Sequence, residues 1–275
     1  MKKNLLLFAL AFLVVCLASC GDDEGPDVTG PEEVTDADVE SIQEIEQVQG
    51  LFLALDDVAN TAIDADNGGR TKSCGEVTTN IGAGSISYVI DFGTGCTDEF
   101  GNEYSGRMLY EVTLEGESGF STFVMTFDNF TSNGSSVSGT ITTSNVVTSE
   151  DGSFSYDYTI SNGVFTEASG STVTLNQTST FMFDFGSEGL FDIDFSYSGS
   201  SNGSVDGTAF SSQITTPILI KFACAEQEVS VPVSGVQELT INNRPTMTID
   251  YGDGTCDNIA IVSIGNSSRS VDLTL

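Results

Sequence analysis

Two hydrophobic periods divide this chain, and each predicts a different kind of secondary structure. From about residue 37 to residue 64, apolar residues recur every three or four positions, as they do on one face of an α-helix. Thr35 or Asp36 can cap the start of this helix. The sequence therefore predicts one amphipathic helix over residues 37–64, and its apolar face needs a partner. That face consists of Val39, Ile42, Ile45, Val48, Phe52, Leu55, Ala59 and Ile63.

From about residue 76 onwards, apolar and polar residues alternate, which is typical of β-strands with one buried and one solvated face. Segments 108–114, 154–160 and 191–197 show this alternation clearly. Turn signals separate the strands at intervals of about ten residues, with no helical pattern between them, which favours an antiparallel meander. The turn signals are Asn133-Gly134, Asp151-Gly152, Asn162-Gly163, Gly186 to Gly189, Asn202-Gly203 and Asp206-Gly207.

The two patterns together predict a single, mainly β domain over residues 37–275. About a dozen strands in one flat sheet would leave long edges and an uncovered apolar face, so the sheet has to curl, fold into two layers or be covered. We expect a strongly curved antiparallel meander, barrel-like or half-open, with the helix of residues 37–64 packed against it. A two-layer β-sandwich is the alternative.

Residues 1–19 have the features of an export signal. Lys2 and Lys3 precede an apolar run that is too short to span a bilayer comfortably. Small residues stand directly before Cys20, whereas the competing Cys16 follows a branched valine. The segment resembles a bacterial lipoprotein signal, and this resemblance implies cleavage before Cys20 and acylation of that cysteine, with palmitate as a typical chain. The alternative is an ordinary secretion signal.

The acidic composition of residues 20–36 predicts a tether between this anchor and the folded domain. Its first residues, Asp22, Asp23 and Glu24, resemble the surface-export signal of lipoproteins in the Bacteroidota. We therefore expect a protein anchored by lipid in the outer membrane and facing the cell exterior. The simpler interpretation is that the acidic residues only keep the tether solvated.

Charge and composition exclude several classes of function. The chain has 40 acidic and 8 basic residues, a formal charge of -32, and neither histidine nor tryptophan. Nucleic acid is not expected as a partner, because phosphate backbones are bound through clustered lysine and arginine. Without histidine, Ser-His-Asp catalysis is impossible and a typical zinc site is not expected.

Four cysteines remain beyond Cys20, and an even number in an exported protein favours disulfides. We predict Cys74 with Cys96 and Cys224 with Cys256, because each pair brackets a local strand-turn-strand segment. The rival arrangement joins Cys96 to Cys256, which occupy similar motifs.

Two similar phrases, IDFGTGCTD at residues 90–98 and IDYGDGTCDN at residues 249–258, stand near the two ends of the β region. Together with the lipobox, which is the short cleavage motif that ends at Cys20, they resemble an uncharacterised family of flavobacterial-type surface lipoproteins. This resemblance implies no activity. Their glycines fit tight turns at strand ends. Their carboxylates alternatively offer oxygen ligands for calcium. The candidate ligands are Asp91, Asp98, Glu99, Asp250, Asp253 and Asp257.

These observations favour a non-enzymatic binding, adhesive or structural module at the cell surface, with no cofactor except a potential calcium ion. A surface glycan or an envelope protein would be its partner. Two other hypotheses are a carrier that holds an apolar ligand beneath the curved sheet and an enzyme that acts on glycans through carboxylates. A sealed core would disfavour the carrier, and the absence of a concave acidic cleft would disfavour the enzyme.

The lipid anchor is tested by Cys20→Ala, with Cys16→Ala as the matched control. We expect Cys20→Ala to abolish labelling by radioactive palmitate. Release of the protein from the membrane fraction should increase, because several acyl chains are needed for a durable anchor. Cys16→Ala should be labelled like the wild type. Loss of labelling in Cys16→Ala alone would move the cleavage site to that cysteine.

Overall fold

A long helix followed by an antiparallel sheet makes up the described part of the chain. The computed structural model describes residues 33–67, 74–114, 120–149, 152–185, 193–227, 229 and 231–273. The helix, α1, spans Asp36–Asp66, close to the predicted bounds. The strands are β1 (Glu76–Ile81), β2 (Ser85–Thr97), β3 (Glu103–Leu114), β4 (Phe120–Ser132), β5 (Ser135–Thr148), β6 (Phe154–Thr166), β7 (Thr172–Phe185), β8 (Ile193–Val205), β9 (Thr208–Lys221), β10 (Ser234–Ile241), β11 (Met247–Asp253), β12 (Ile259–Ile264) and β13 (Ser267–Asp272).

These thirteen strands form one sheet in which spatial order follows chain order. Each strand pairs antiparallel with the next, from β1 with β2 to β12 with β13. Within the described residues β1 and β13 are the two edges, so the sheet is an open meander rather than a closed barrel or a sandwich. The predicted mainly β fold, a half-open curved meander with one N-terminal helix, is confirmed.

The start of α1 is fixed by a capping box and by two arginines from the far end of the chain. The amide of Thr35 donates to the carboxylate of Asp38 at 2.8 Å, and the Thr35 hydroxyl accepts from the amide of Asp38. Arg244, in the β10–β11 turn, also contacts Asp38 at 2.7 Å, and Arg269 of β13 contacts Asp36 at 2.6 Å. The first turn of the helix therefore lies against the last strands of the sheet.

The sheet curves around the helix, as contacts from strands that lie far apart in the sheet show. The Tyr158 hydroxyl of β6 donates to the carbonyl of Phe52 at 3.0 Å. Gln49 donates to Ser201 of β8 at 2.9 Å. The buried face of the helix belongs to one continuous apolar core with the concave face of the sheet. This face consists of Ile42, Ile45, Val48, Phe52, Leu55, Ala59 and Ala62.

Two of the predicted turns form hairpin connections. Asn133 and Gly134 join β4 to β5, and Asp206 and Gly207 join β8 to β9, with positive φ at each of these residues. Positive φ at both central positions is the requirement of the type I′ turn, whose twist matches that of the strands it joins. These two predictions are confirmed, whereas Asp151 and residues 186–189 lie outside the described part of the chain.

Two other predicted turns are wrong, because Asn162-Gly163 and Asn202-Gly203 lie inside β6 and β8. Asn162 has φ 52° and marks a β-bulge, where the register with β7 shifts between Ile160 and Gly163. Gly203 instead permits a close approach of two strands, because a Cβ there would lie 1.8 Å from the carbonyl oxygen of Thr174. Bulges bend a strand and increase its twist, so such positions curve the sheet rather than end its strands.

Two disulfides close local loops at the ends of strands. Cys74, just before β1, is bonded to Cys96 in β2, and the Cα atoms are 5.7 Å apart. Cys224 lies in a short 3-10 helix, Phe222–Gln227, and is bonded to Cys256 after β11, with Cα atoms 5.3 Å apart. The predicted pairing is confirmed, and the rival Cys96–Cys256 bond does not form.

The predicted signal, Cys20 and the tether up to residue 32 lie outside the described residues. The last residues of the predicted tether belong to the helix cap and to the first turn of α1. In the part of the chain that the structure describes, no helix is both long enough and apolar enough to cross a bilayer.

Packing of the sheet onto α1 is tested by Phe52→Ala. Phe52 is fully buried, so its truncation should lower the free energy of unfolding by about 3–5 kcal/mol, as in other protein cores. Chemical denaturation measures this, with Gln47→Ala on the exposed side of the same helix as control. Equal stability of the two variants would contradict the placement of the helix in the core.

Candidate functional site

The concave face of the sheet has a polar half and an aromatic half, and α1 crosses both. Beneath the first half of the helix, the sheet presents buried polar side chains from β7 to β10, among them Ser201 and Gln237. The helix meets this region with polar side chains of its own. Gln49 donates to Ser201, and the Tyr251 hydroxyl donates to Glu46 at 2.5 Å. Burial raises the pKa of Glu46, while the hydrogen bond from Tyr251 acts in the opposite direction. Around Gln49 and Gln237 the two surfaces leave only about 10 Å³ of free space, and a cavity of about 210 Å³ beside Ser41 and Ile45 lies nearer the start of the helix.

Beneath the second half of the helix, an open cleft of about 700 Å³ separates α1 from the sheet. Its walls are the helix on one side, strands β3 to β8 on the other, and the first residue of the 3-10 helix at Phe222. Most of the lining side chains are apolar. The cleft is lined by Leu53, Asp56, Asp57, Asn60, Tyr110, Phe123, Thr143, Val146, Phe154, Tyr156, Phe183, Phe195 and Phe222.

The aromatic wall follows from strand alternation in neighbouring strands. Phe154 and Tyr156 are two residues apart in β6 and so share one face, and Phe183 of β7 and Phe195 of β8 lie on the same side in register. The ring centroids of Phe183 and Phe195 are 4.8 Å apart, and those of Tyr156 and Phe183 are 6.2 Å apart. Contacts of this kind between aromatic rings stabilise a continuous apolar surface.

The helix contributes a mixed stripe beside its buried face. Residues 53, 56, 57 and 60 have the i, i+3, i+4, i+7 spacing that places side chains on one helix face. Leu53 is apolar, whereas the other three members of the stripe, Asp56, Asp57 and Asn60, are polar. The cleft therefore has an apolar sheet wall opposite a helix wall that carries two carboxylates.

Asp56 has an unusual environment for a carboxylate. It is half-buried, and no hydrogen bond or ion pair joins its side chain to another described residue. Burial, followed by the negative charge of Asp57, raises the pKa of Asp56 from 3.8 to about 6. The side chains of Tyr110 and Tyr156 share this environment. Burial and the charge of Asp56 raise the pKa of Tyr156 to about 12.

A second cavity, of about 170 Å³, adjoins the same helix face. Asp57 and Val58 line it from the helix, and Phe92, Phe100 and Tyr104 line it from the β2–β3 region. Asp57 thus borders both cavities. The smaller cavity is bounded by the turn that contains Asp98, one of the predicted calcium ligands.

The predicted calcium ligands serve mainly as turn-forming residues. In each of the five aspartates concerned, the carboxylate accepts a hydrogen bond from the backbone amide two residues further on, as in an Asx-turn. These hydrogen bonds run from the amide of Gly93 to Asp91, Phe100 to Asp98, Gly252 to Asp250, Thr255 to Asp253 and Ile259 to Asp257. Glu99, the sixth candidate ligand, is an exposed residue in the turn after β2.

Further contacts hold several of these carboxylates in the ionised form. Arg107 Nε donates to Asp91 at 2.8 Å, and this bond together with the Gly93 amide lowers the pKa of Asp91. Burial acts to raise the pKa of Asp98, but hydrogen bonds from Asn102, Phe100 and Tyr104 outweigh it and lower the value. Among the described residues, no three aspartate, glutamate or cysteine side chains are grouped so as to hold a metal ion. The structure therefore adds no support to the calcium prediction.

Sequence reasoning anticipated an apolar ligand beneath the sheet as an alternative, but it missed the carboxylates of the cleft. Their signal is present in the sequence, because Asp56, Asp57 and Asn60 follow helical spacing next to the apolar stripe. Helix spacing alone does not separate a solvated face from one that lines a cleft. That distinction depends on where the curved sheet leaves the helix.

No protein-family model, no curated protein and no solved structure matches the chain. The resemblance to flavobacterial-type surface lipoproteins therefore stays a prediction.

The environment of Asp56 predicts a pH-dependent stability. Between pH 3.8 and about 6, the folded protein keeps a proton on Asp56 that the unfolded chain has released, so stability falls as the pH rises through this window. Asp56→Asn should remove this loss. We expect the variant to be more stable than the wild type at pH 7 by on the order of 1 kcal/mol, an amount reduced by partial solvent exposure.

Urea denaturation at pH 4, 5, 6 and 7 measures the difference between variant and wild type. Other groups near Asp56, namely Asp57, Tyr110, Tyr156 and Tyr158, are unchanged in the comparison. Glu40→Gln, an exposed change on the same helix, removes one charge elsewhere and serves as the control. A difference between Asp56→Asn and wild type that does not vary with pH would contradict the assignment.

Proposed function

We propose that this protein is a lipid-anchored, non-enzymatic binding protein of the cell surface, and that the cleft between α1 and strands β3 to β8 takes an apolar ligand. The observation that carries the proposal is the cleft itself. The apolar faces of strands are normally covered by a packed layer, and here the helix covers one half of the concave face and leaves the aromatic half open.

The size and lining of the cleft fit a small-molecule site. Such sites are commonly clefts of about 300–1,000 Å³ with apolar and aromatic walls and a few polar groups that orient the ligand. The cleft of about 700 Å³ has this composition, with Asp56, Asp57 and Asn60 as its polar groups. Phe222 is 44% exposed beside it, so part of the aromatic surface is accessible from solvent.

The N-terminal sequence supports the proposed location of the protein at the cell surface. The lipobox that ends at Cys20 supports a lipid anchor, and the acidic run after it supports display on the outer face of the outer membrane. Calcium is not part of the proposed function, because the predicted ligands take part in turns and, at Asp91, in an ion pair with Arg107.

Binding is tested with a tryptophan placed beside the cleft, since the chain has none of its own. Phe222→Trp introduces the reporter at the cleft, and Ile81→Trp introduces it at the exposed end of β1, where the side chain is 80% exposed. The mature chain without acyl groups, residues 21–275, avoids detergent that would compete for the site. The ligand is the neutral apolar probe N-phenyl-1-naphthylamine.

We expect saturable energy transfer from the tryptophan at position 222 to the probe, at a stoichiometry of one. The reporter at position 81 should give weaker transfer, because the register through Ile86 and Val112 places it three strands, roughly 15 Å, from Phe123 at the cleft, and transfer efficiency falls steeply with distance. Absence of probe binding to either variant would overturn the proposed function. Binding that does not saturate, or a stoichiometry well above one, would indicate non-specific adsorption and would also overturn it.

A further inference from the structure

We infer that the ligand of the cleft is a cationic amphiphile, with an apolar tail against the aromatic sheet wall and a positively charged ammonium head against Asp56 and Asp57. This inference rests on the proposed function and adds to it the chemical class of the ligand. It depends on three features of the cleft, namely its unpaired carboxylates, its aromatic rings and its lack of basic side chains.

The first feature is a half-buried carboxylate without a partner. In the described part of the chain, Asp56 has neither a hydrogen bond nor an ion pair, although it faces a cavity. Ionised groups removed from water are normally compensated by a charged or hydrogen-bonding partner. An ammonium group in the cleft would supply both, and Asp57, on the same helix face and bordering the cleft, adds a second negative charge.

The second feature is the ring surface opposite these carboxylates. Tyr110 and Tyr156 line the cleft together with Phe123, Phe154 and Phe183. Faces of aromatic rings carry partial negative charge and attract ammonium groups, which is the chemistry of aromatic cages for quaternary amines. The same rings bind an alkyl chain through apolar contact. The wall therefore suits both ends of a cationic amphiphile.

The third feature is the absence of positive charge at the cleft. No lysine or arginine of the described residues lines it, and the basic side chains of those residues contact other groups. Arg107 contacts Asp91, Arg244 contacts Asp38 and Arg269 contacts Asp36, while Lys221 donates to the carbonyl of Gly254. With a formal charge of -32, the chain as a whole also repels anions. A fatty acid would thus place its carboxylate beside two others without compensation.

The environment of Asp56 has a consequence for pH. The groups that face it are Asp57 on the helix and Tyr110, Tyr156 and Tyr158 on the sheet, and none of them carries positive charge. Its raised pKa means that the free protein gains a proton as the pH falls through about 6. As the pH is lowered through this range, affinity for a cationic ligand should decrease, whereas affinity for a neutral ligand should not.

The test compares three single-chain ligands of equal tail length, each below its micelle concentration, on the Phe222→Trp form of the mature chain. Dodecyltrimethylammonium is the cation, dodecanoate the anion and dodecyl maltoside the neutral ligand, and each displaces the naphthylamine probe. We expect the cation to bind at least roughly tenfold more tightly than the anion at pH 7.5, the scale of one charge-assisted or cation–π contact. The ratio of cation affinity to maltoside affinity should fall at pH 5, and this comparison avoids dodecanoate, whose own carboxyl group is protonated near that pH.

Asp56→Asn, added to the reporter form, should reduce the ratio of cation affinity to neutral affinity by roughly tenfold. Glu40→Gln removes one charge about 24 Å away along the helix, at 1.5 Å per residue, and should leave the ratio unchanged. If the probe binds but the cation and the anion compete equally, or the anion competes better, the inference is overturned and the proposed function stands. An equal effect of Glu40→Gln would assign the preference to net charge and would overturn the inference too.

Discussion

The structure depends on one constraint, which is that a wide antiparallel sheet with a single apolar face needs a cover. One helix supplies it, and the sheet bends far enough for β6, β8, β11 and β13 to reach α1. A cylinder of one helix cannot fill the whole concave surface of thirteen strands. The aromatic half of that surface therefore stays open, and the proposed binding site is a direct result of this incomplete cover.

The same constraint explains how charge is used. Where the helix touches the sheet, several of its polar groups have partners, as Gln49 has in Ser201 and Asp38 has in Arg244. Where the helix leaves the sheet, Asp56 has no partner and a raised pKa. An unsatisfied carboxylate lowers the stability of the free protein, and such a cost is common at functional sites. Asp56 combines this lack of a partner with a position on the large open cleft, and that combination distinguishes the site from the surrounding core.

Much of the fold could be predicted from the sequence because its signals are local. The helix spacing, the strand alternation and the cysteine pairs all report on short segments. The turns predicted at Asn162 and Asn202 are wrong for a physical reason, since asparagine followed by glycine suits a bulge or a close strand approach as well as a turn. The cleft could not be predicted, because its walls combine Asp56 with Phe183 and Phe195, and only the curvature of the sheet determines the space between them.

The most direct test of this account is a crystal structure of the mature chain grown with a bromoalkyl trimethylammonium salt. Anomalous scattering from bromine locates the tail without ambiguity. The account predicts a single strong peak between the helix and the rings of Phe183 and Phe195, with the ammonium group on the side of Asp56. A cleft closed by inward rotation of those rings, or bromine found only on the outer surface of the sheet, would contradict it.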